Sequence, residues 1–532
     1  MESPARVARA LASHGFNASR EAVTLLARAD DTEAALALAV EAAPADALVL
    51  TADHVREALD GGTRRSAGPA DAADVAAASD ERTQTSGEST GSAPPEPDPS
   101  VSSGTEGPKG GNDGGGVAVE TKGSPFDRDP AKRSVSVAQD ITGQSTGTGE
   151  YDDFVRVFRD RYEKLAGQLR GRVNHRPTDS LRAMPGGGDA GLVGMVNDVR
   201  STANGHWLVE LEDTKGVYPC LVMKDKGIAD LVDELLLDEV IAVDGSVSDD
   251  GSILFVDSIH FPEIPRTYQP STADRHVRAA LISDVHVGSE EFMADAWHRF
   301  TDWLHTEAAE RVEYLLIAGD MVEGVGVYPD QDEELDIIDI YEQYEAFSEY
   351  LKEVPGDMEI LMIPGNHDAV RLAEPQPGFD EELRDIMSVH DARIHGNPAL
   401  VDVEGVKILM YHGVSLDEVI AELPDGKASY DEPHKAMYQL LKKRHVAPQY
   451  GGHTRLAPEE EDYLVMEEVP DVFHTGHVHK LGWGKYRRVI AVNSGCWQAQ
   501  TAFQKSVNID PDAGFAPILD LDTLEMTVRD FS

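Results

Sequence analysis

The chain has 532 residues and carries 47 Lys+Arg against 96 Asp+Glu, a formal net charge of −49. That length holds more than one domain, and acidity spread through folded-looking segments as well as a tail fits a protein working in molar salt, where screening relieves self-repulsion. Such acidity usually argues against holding nucleic acid, an argument that screening at high salt weakens; two cysteines, Cys220 and Cys496, exclude a disulfide framework and a thiolate zinc site, and the lack of a membrane-length apolar run or a signal-peptide h-region makes a reducing cytoplasm the expectation.

Residues 1–62 read as a small helical module. Ser3-Pro4 offers a cap and a first-turn proline, Val7 and Leu11 share a face before Gly15, Ser19 caps a segment carrying Val23 and Leu26, and Thr51 opens a short helix with Val55 and Leu59. Such a bundle has little core and suits a docking module or a simple tethered bundle. From 63 to 149 the composition shifts to Gly, Ser, Thr, Pro, Asp and Glu with almost no aromatics, which predicts a disordered linker.

Residues 150–268 are expected to form a helix followed by a small barrel. Phe154, Val155, Phe158, Tyr162, Leu165 and Leu169 recur at helical spacing after Asp152-Asp153. Five short strand-like runs follow, at 192–196, 207–211, 217–222, 240–243 and 253–256, with Gly and Asp turns and a helical insert near Ile228–Leu237. This is the pattern of an oligonucleotide-binding-like β-barrel, a fold that serves nucleic acid in some proteins and protein–protein contact in others.

From 269 to 532 apolar strands alternate with helical stretches, an α/β arrangement, and polar residues stand just beyond the strands. Ala279–Ile282 leads to Asp284 and His286, Tyr314–Ile317 to Asp320, Ile360–Ile363 to Asn366, Lys407–Met410 to His412, and Val472-Phe473 to His474, His477 and His479. Asp284 and His286 can reach one cation with His479. Asp320 can bridge to a second, and Asn366, His412 and His477 can complete it. Two such ions lower the pKa of a shared water and clamp phosphate oxygens; the mixed N and O donors favour Mn²⁺, Fe, Zn²⁺ or Mg²⁺ over a structural zinc site. His367 is placed to protonate a leaving oxygen, with Asp368 to orient it. His453 and Arg455 are candidates for substrate contact or a surface turn, and His474 for a supporting hydrogen bond.

Asp-x-His, Gly-Asp, Gly-Asn-His-Asp, Tyr-His-Gly and Gly-His-x-His, in this order, resemble the calcineurin-like metallophosphoesterases. The longer runs Leu281–Ser289, Gly319–Pro329, Gly452–Pro458 and Asn493–Gln498 are similar to the small subunits of archaeal DNA polymerase D, of a haloarchaeal type, over about 150–532. The resemblance implies a two-sheet phosphoesterase sandwich with helices beside the barrel, and a Mn²⁺-favouring 3′→5′ exonuclease on DNA primer–templates. It also implies a large subunit that carries polymerisation, with a sliding clamp or other replication factors as further contacts. One departure is Glu323, where many phosphoesterases have Asp. Two other functions stay open: a phosphomonoesterase, and a scaffold subunit with a vestigial site.

Overall fold

The computed structural model describes residues 128–145, 147–328, 331–388, 392–452, 454–506 and 509–532, and before residue 60 it describes 7, 11, 17–18, 20–29, 32–43, 49–52, 54–56 and 58–59. Most of the expected linker, 63–127, lies outside these residues.

The N-terminal module has helices Arg20–Ala27 and Thr32–Ala42. It is not purely helical: strands β1 (Asn17–Ala18) and β2 (Val49–Leu50) pair in parallel. Two-residue strands leave no periodic signal, so the sequence pattern shows only the helices. Val7, Leu11, Val23, Leu26, Leu50 and Val55 form a small core, against which Ile338 also packs.

The predicted linker extends too far toward the C-terminus. Arg128 is buried, its guanidinium donating to the Leu304 and Ala309 carbonyls (both 3.0 Å) and to Asp357 Oδ1 (2.8 Å). Strand β3 (Val135–Gln139) then pairs antiparallel at a sheet edge. Its two valines alternate with Ser and Ala and its middle residues are exposed, so the composition resembles linker although one side of the backbone is paired.

The Tyr151–Leu169 helix buries Val157, Arg161, Tyr162, Leu165, Ala166 and Leu169. This stripe is rotated from the one the apolar residues suggested, because Arg161 lies inside and Phe154, Val155 and Phe158 are only half-buried. Strands β4 (Asp189–Ser201), β5 (Trp207–Asp213), β6 (Gly216–Val222), β7 (Val240–Val247) and β8 (Leu254–His260) close into a barrel of order β4-β5-β6-β8-β7. A short 3-10 turn at Ala229–Glu234 forms the expected insert. Alternate residues Leu192, Val209, Leu211, Cys220, Ile241, Val243 and Val256 fill the interior.

The remaining strands are β9 (Arg278–Ile282), β10 (Val312–Ala318), β11 (Glu359–Ile363), β12 (Arg393–Ile394), β13 (Ala399–Val403), β14 (Val406–Met410), β15 (Val472–Thr475), β16 (Leu481–Tyr486), β17 (Val489–Ser494), β18 (Phe515–Asp520) and β19 (Glu525–Asp530). They form two six-stranded sheets, ordered β12-β11-β10-β9-β18-β19 and β16-β17-β15-β14-β13-β3. Period-two alternation divides each strand between two cores. Leu281, Leu316 and Leu361 meet Val401, Ile408, Val472 and Val492 between the sheets, whereas Ile282, Ile317 and Met362 face the outer helices Ala294–Leu304 and Ile340–Leu351. Helices Ser415–Glu422 and Pro433–Lys443 cover the other sheet. Among the described residues, no helix is long and apolar enough to cross a membrane.

The barrel's leading helix joins this sandwich through a buried ion pair, Arg161 Nε to Asp462 Oδ2 at 2.6 Å, with His445 Nε2 3.0 Å from the same oxygen. Arg161 also donates to the Pro448 carbonyl.

Candidate metal centre

Five strands deliver the polar groups, all at their carboxyl ends. β9, β10 and β11 run parallel in one sheet and release Asp284 and His286, Asp320, and Asn366. β14 and β15 run parallel in the other and release His412, then His477 and His479. The loops are tied across the gap: Asp284 N–H donates to the Gly319 carbonyl (3.0 Å), Gly476 N–H to that of His412 (2.8 Å), and Trp497 N–H to that of Asp284 (2.8 Å).

The backbone bends sharply here. Asp284, His286, Asp320, His477 and His479 all have positive φ, between 51° and 73°. Each such conformation costs a non-glycine residue about 1–3 kcal/mol, and a cluster of them on one set of side chains marks a site held together for its chemistry. Glycines make the approach possible. A Cβ on Gly365 would collide with the Asp320 carboxylate, and one on Gly476 with that of Asp284.

Donor atoms of Asp284, His286 and His479 lie within 4.8 Å of one another, as do those of Asp320, His412 and His477. His412 Nε2 is 3.2 Å from Asp320 Oδ2 and 3.0 Å from Asn366 Oδ1. His479 Nε2 is 3.4 Å from Asp284 Oδ1 and 3.0 Å from His286 Nε2. His286 Nε2 is also 3.8 Å from Asp320 Oδ2. All seven expected donors therefore meet in one place, in two groups with Asp320 between them. Carboxylate and imidazole donors without thiolate at this spacing fit a pair of hard or borderline divalent cations. The carboxylates and imidazoles also shift one another. Burial alone would lower His412, but Asp320 and Asp284 raise it to about 10. His479 rises well above its ordinary value against burial through Cys496 and Asp284. Asp320 is held well below the carboxylate range, against burial, chiefly by His412 and His367. His286 goes the other way, lowered by burial against the pull of Glu323.

Supporting contacts fix the rings. His286 Nδ1 is 2.9 Å from Glu323 Oε2, and Glu323 is held by Gln498 Nε2 (2.7 Å) and Gln331 Nε2 (3.0 Å). Burial opposes ionisation of Glu323, but His286 and His367 bring it down to about 2. His412 Nδ1 donates to the Ala318 carbonyl (2.9 Å), His477 Nε2 is 3.0 Å from Asp417 Oδ2, and the Gln504 amide nitrogen is 2.9 Å from His479 Nδ1. Sequence reading missed Asp417, Gln498 and Gln504 and gave Glu323 no role beyond a departure from pattern. Glu323, inside the Gly-Asp run, and Gln498, closing the Asn493–Gln498 run, carried a local signal.

His367 lies at the mouth, its side chain 16% exposed. Its backbone N–H donates to Asp320 Oδ1 (2.8 Å) and its Nδ1 to the Glu323 carbonyl (2.7 Å). Asp368 does not orient His367, contrary to expectation. Adjacent side chains diverge, and the Asp368 carboxylate turns inward to accept from Gly365 N–H (2.8 Å), Met321 N–H (3.3 Å) and Tyr344 OH (2.9 Å). It pins two donor-bearing loops together, and burial followed by the nearby Asp320 charge lifts it to about 7. His474 is buried behind the centre, its Nε2 3.1 Å from Ser494 Oγ, which reaches Ser283 Oγ at 2.7 Å; burial lowers it to about 3. The Arg455 side chain is exposed and does not line the cleft, while its carbonyl accepts from Glu374 N–H (2.7 Å). His453 lies outside the described residues.

The family model of the DNA polymerase alpha/epsilon B subunit matches residues 279–481. The DNA polymerase II small subunit of Halobacterium salinarum is 64% identical over 532 residues, all of both chains. That of Archaeoglobus fulgidus is 46% identical over 389 residues, 72% of this chain and 78% of its own. A solved archaeal phosphodiesterase aligns with 48% of this chain and 99% of its own at 14% identity and a TM-score of 0.25, too slight a likeness to bear on the fold.

Proposed function

Because the chain belongs to the small subunits of archaeal DNA polymerase II, the D-family polymerases, we propose that its cleft is a metal-dependent 3′→5′ exonuclease that proofreads DNA. The observation that carries this reading is the convergence of Asp284, His286 and His479 on one side of Asp320, and His412, His477 and Asn366 on the other, at the floor of an open cleft. Two divalent cations held there, with Mn²⁺ first among them, would polarise phosphate oxygens and acidify a water.

The chain's own residues do the rest. Glu323, Ala318 and Asp417 hold imidazoles in place, so that no reorganisation is needed as charge develops. Hydrolysis adds water oxygen to the phosphorus of the terminal phosphodiester and breaks its bond to the 3′ oxygen of the penultimate nucleotide. The products are a 5′-nucleoside monophosphate and a new 3′ hydroxyl. His367 stands where that leaving oxygen can be protonated. Since its Nδ1 donates to the Glu323 carbonyl, Nε2 has a proton to give only in the imidazolium form. A frayed mismatch reaches the cleft more readily than a paired end, because less unpairing is required.

The large subunit of the polymerase is the expected partner and the seat of polymerisation, with a primer–template as substrate and a sliding clamp as a further contact. The test follows a 3′-mismatched primer–template with Mn²⁺ in molar KCl, comparing wild type with Asp320→Ala. Stepwise release of 5′-mononucleotides by wild type alone supports the exonuclease. Release by neither, with the large subunit added, favours a scaffold; faster cleavage of a phosphomonoester than of DNA favours a phosphatase.

A further inference from the structure

The cleft above the metal centre has a rim that the hydrolytic chemistry does not use. Phe503 and Tyr430 are 44% and 42% exposed, which is unusual for aromatic rings, and both line this cleft together with Tyr328. Phe503 and Tyr328 are stacked on each other, with centroids 5.0 Å apart and planes inclined by 26°. Glu334 braces the pair, accepting from Tyr328 OH (3.2 Å) and from Phe503 N–H (3.2 Å). Tyr328 Oη also lies 3.1 Å from Glu323 Oε1, and its ring centroid is 6.3 Å from that of His367. Tyr430 OH donates to Asp417 Oδ1 (3.0 Å), the carboxylate that holds His477. The two tyrosine rings are thus anchored through their hydroxyls to carboxylates around the metal centre, and Phe503 through its backbone N–H to Glu334, with aromatic surface left to the cleft.

What the cleft lacks is equally informative. Among the described residues that line it there is no Lys or Arg, while Glu323 and Asp417 are acidic. Outside the metal centre, the walls therefore offer no ion pairs to a polynucleotide backbone, and in a chain of net charge −49 such pairs would be screened at high salt. Base–aromatic stacking needs no charge and tolerates any base.

Resting on the exonuclease reading, we infer that Phe503 and Tyr328, with Tyr430 on the same cleft, form a stacking platform for unpaired nucleobases at the 3′ end of a single strand. The cleft would select its substrate by exposed base faces and not by backbone charge. A paired end keeps those faces inside the duplex, so the platform would discriminate against it before any bond is broken.

The test is binding by the full-length chain in 2 M KCl with EDTA, so that no hydrolysis intervenes. The probes are a fluorescent trideoxynucleotide of thymidines and the same trimer with abasic residues at its last two positions. The base-bearing trimer should bind on the order of tenfold tighter or more. Phe503→Ala and Tyr430→Ala should each erode that difference, and Phe503→Trp should keep it. Equal affinities for the two trimers, or an unchanged difference in Phe503→Ala, would overturn the inference. Tight, base-dependent binding without mononucleotide release on adding Mn²⁺ would sustain the platform while removing the exonuclease reading. Release with equal affinities would do the reverse.

Discussion

The barrel and the metal cleft are built by opposite rules. In the barrel, strands β4 to β8 alternate regularly, apolar side chains fill the interior, and Asp238 is the one described non-glycine residue between 189 and 260 with positive φ. In the cleft, five donor residues adopt that conformation and the packed groups are carboxylates and imidazoles. Burial of apolar area stabilises the first. The second is a concentration of strain and desolvated charge that the surrounding sheets must hold in place. The comparison teaches that donor geometry is maintained at a cost in stability, so perturbing the cleft should change chemistry far more than folding, and perturbing the barrel the reverse.

The strongest way to break this contrast is Asp320→Ala. It removes the carboxylate between the two donor groups, and hydrolysis should fall by about a thousandfold or more, to background. His412 loses the carboxylate that raises it and becomes neutral, and relief of a buried, strained anion offsets the lost pairing, so the melting temperature without metal should change little. The rise in melting temperature that Mn²⁺ gives wild type by linkage should be lost. Calorimetry with and without Mn²⁺ separates the two effects; a folding defect equal to the activity loss would end the contrast.

The joint between the regions should be next in size. Arg161→Met leaves Asp462 buried without its guanidinium, and about 3–5 kcal/mol of unfolding free energy should disappear in urea titrations. Arg161→Met with Asp462→Leu should recover much of it. The same joint predicts acid sensitivity. Burial lowers His445 to about 4, with Arg161 adding to the effect, so the ring is neutral in the fold and its stabilisation is complete above the unfolded value of about 6.5. It is lost as pH falls from there to about 4. Asp462 is held below its ordinary range, against burial, by Arg161 and His445, so its share is present above the unfolded carboxylate value and fades at still lower pH. Both signs agree: stability should drop on acidification from pH 6.5, and the drop above pH 4 should be smaller in a His445→Phe variant, leaving the share that buried His474 contributes.

The same contrast explains what could be read in advance. The barrel strands and β9 to β11 were legible because alternation and continuous apolar runs are set by the two faces they bury. Donors at strand ends were legible because Gly-Asp, Gly-Asn-His-Asp and Gly-His-x-His keep their spacing in the chain. Arg161 was not, since an arginine in an amphipathic helix reads as solvent-facing until a distant Asp462 is brought to it. Asp417 comes from a segment with no motif, Gln498 closes a run that carries the resemblance but no assigned role, and only tertiary folding brings these two and Gln504 to the imidazoles. β3 was lost because an exposed edge strand needs no apolar face. Asp368 was assigned by adjacency, and adjacent side chains at a tight turn do not share a direction.

Glu323→Gln sharpens the contrast from within the cleft. The amide keeps the size and the hydrogen bond to His286 Nδ1 can persist, but the charge is gone. Metal affinity should weaken by about 10–100-fold, as is usual when a partner of a ligating histidine is changed. Urea midpoints without metal should move little. The readout is Mn²⁺ binding by calorimetry, with hydrolysis measured at saturating metal to separate occupancy from chemistry. Wild-type affinity would mean that Glu323 only packs.

The smallest expected effect lies in the barrel and tests the other half of the contrast. Ile241→Val removes one methylene from a fully buried side chain in the barrel interior, and a loss of about 0.5–1.5 kcal/mol should appear in the urea midpoint. Hydrolysis should match wild type, because no donor loop rests on that residue. The comparison is with Gly365 in the cleft, where one added carbon would strike the Asp320 carboxylate and Asp320 N lies 2.6 Å from the position it would take. An interior of interchangeable apolar contacts absorbs a lost methylene by small adjustments of its neighbours. A loop whose backbone is set by the atoms it must bring together has no such slack. If Ile241→Val lowered the rate as much as it lowered stability, barrel and cleft would be one cooperative device, and the division of labour drawn from their backbones would be wrong.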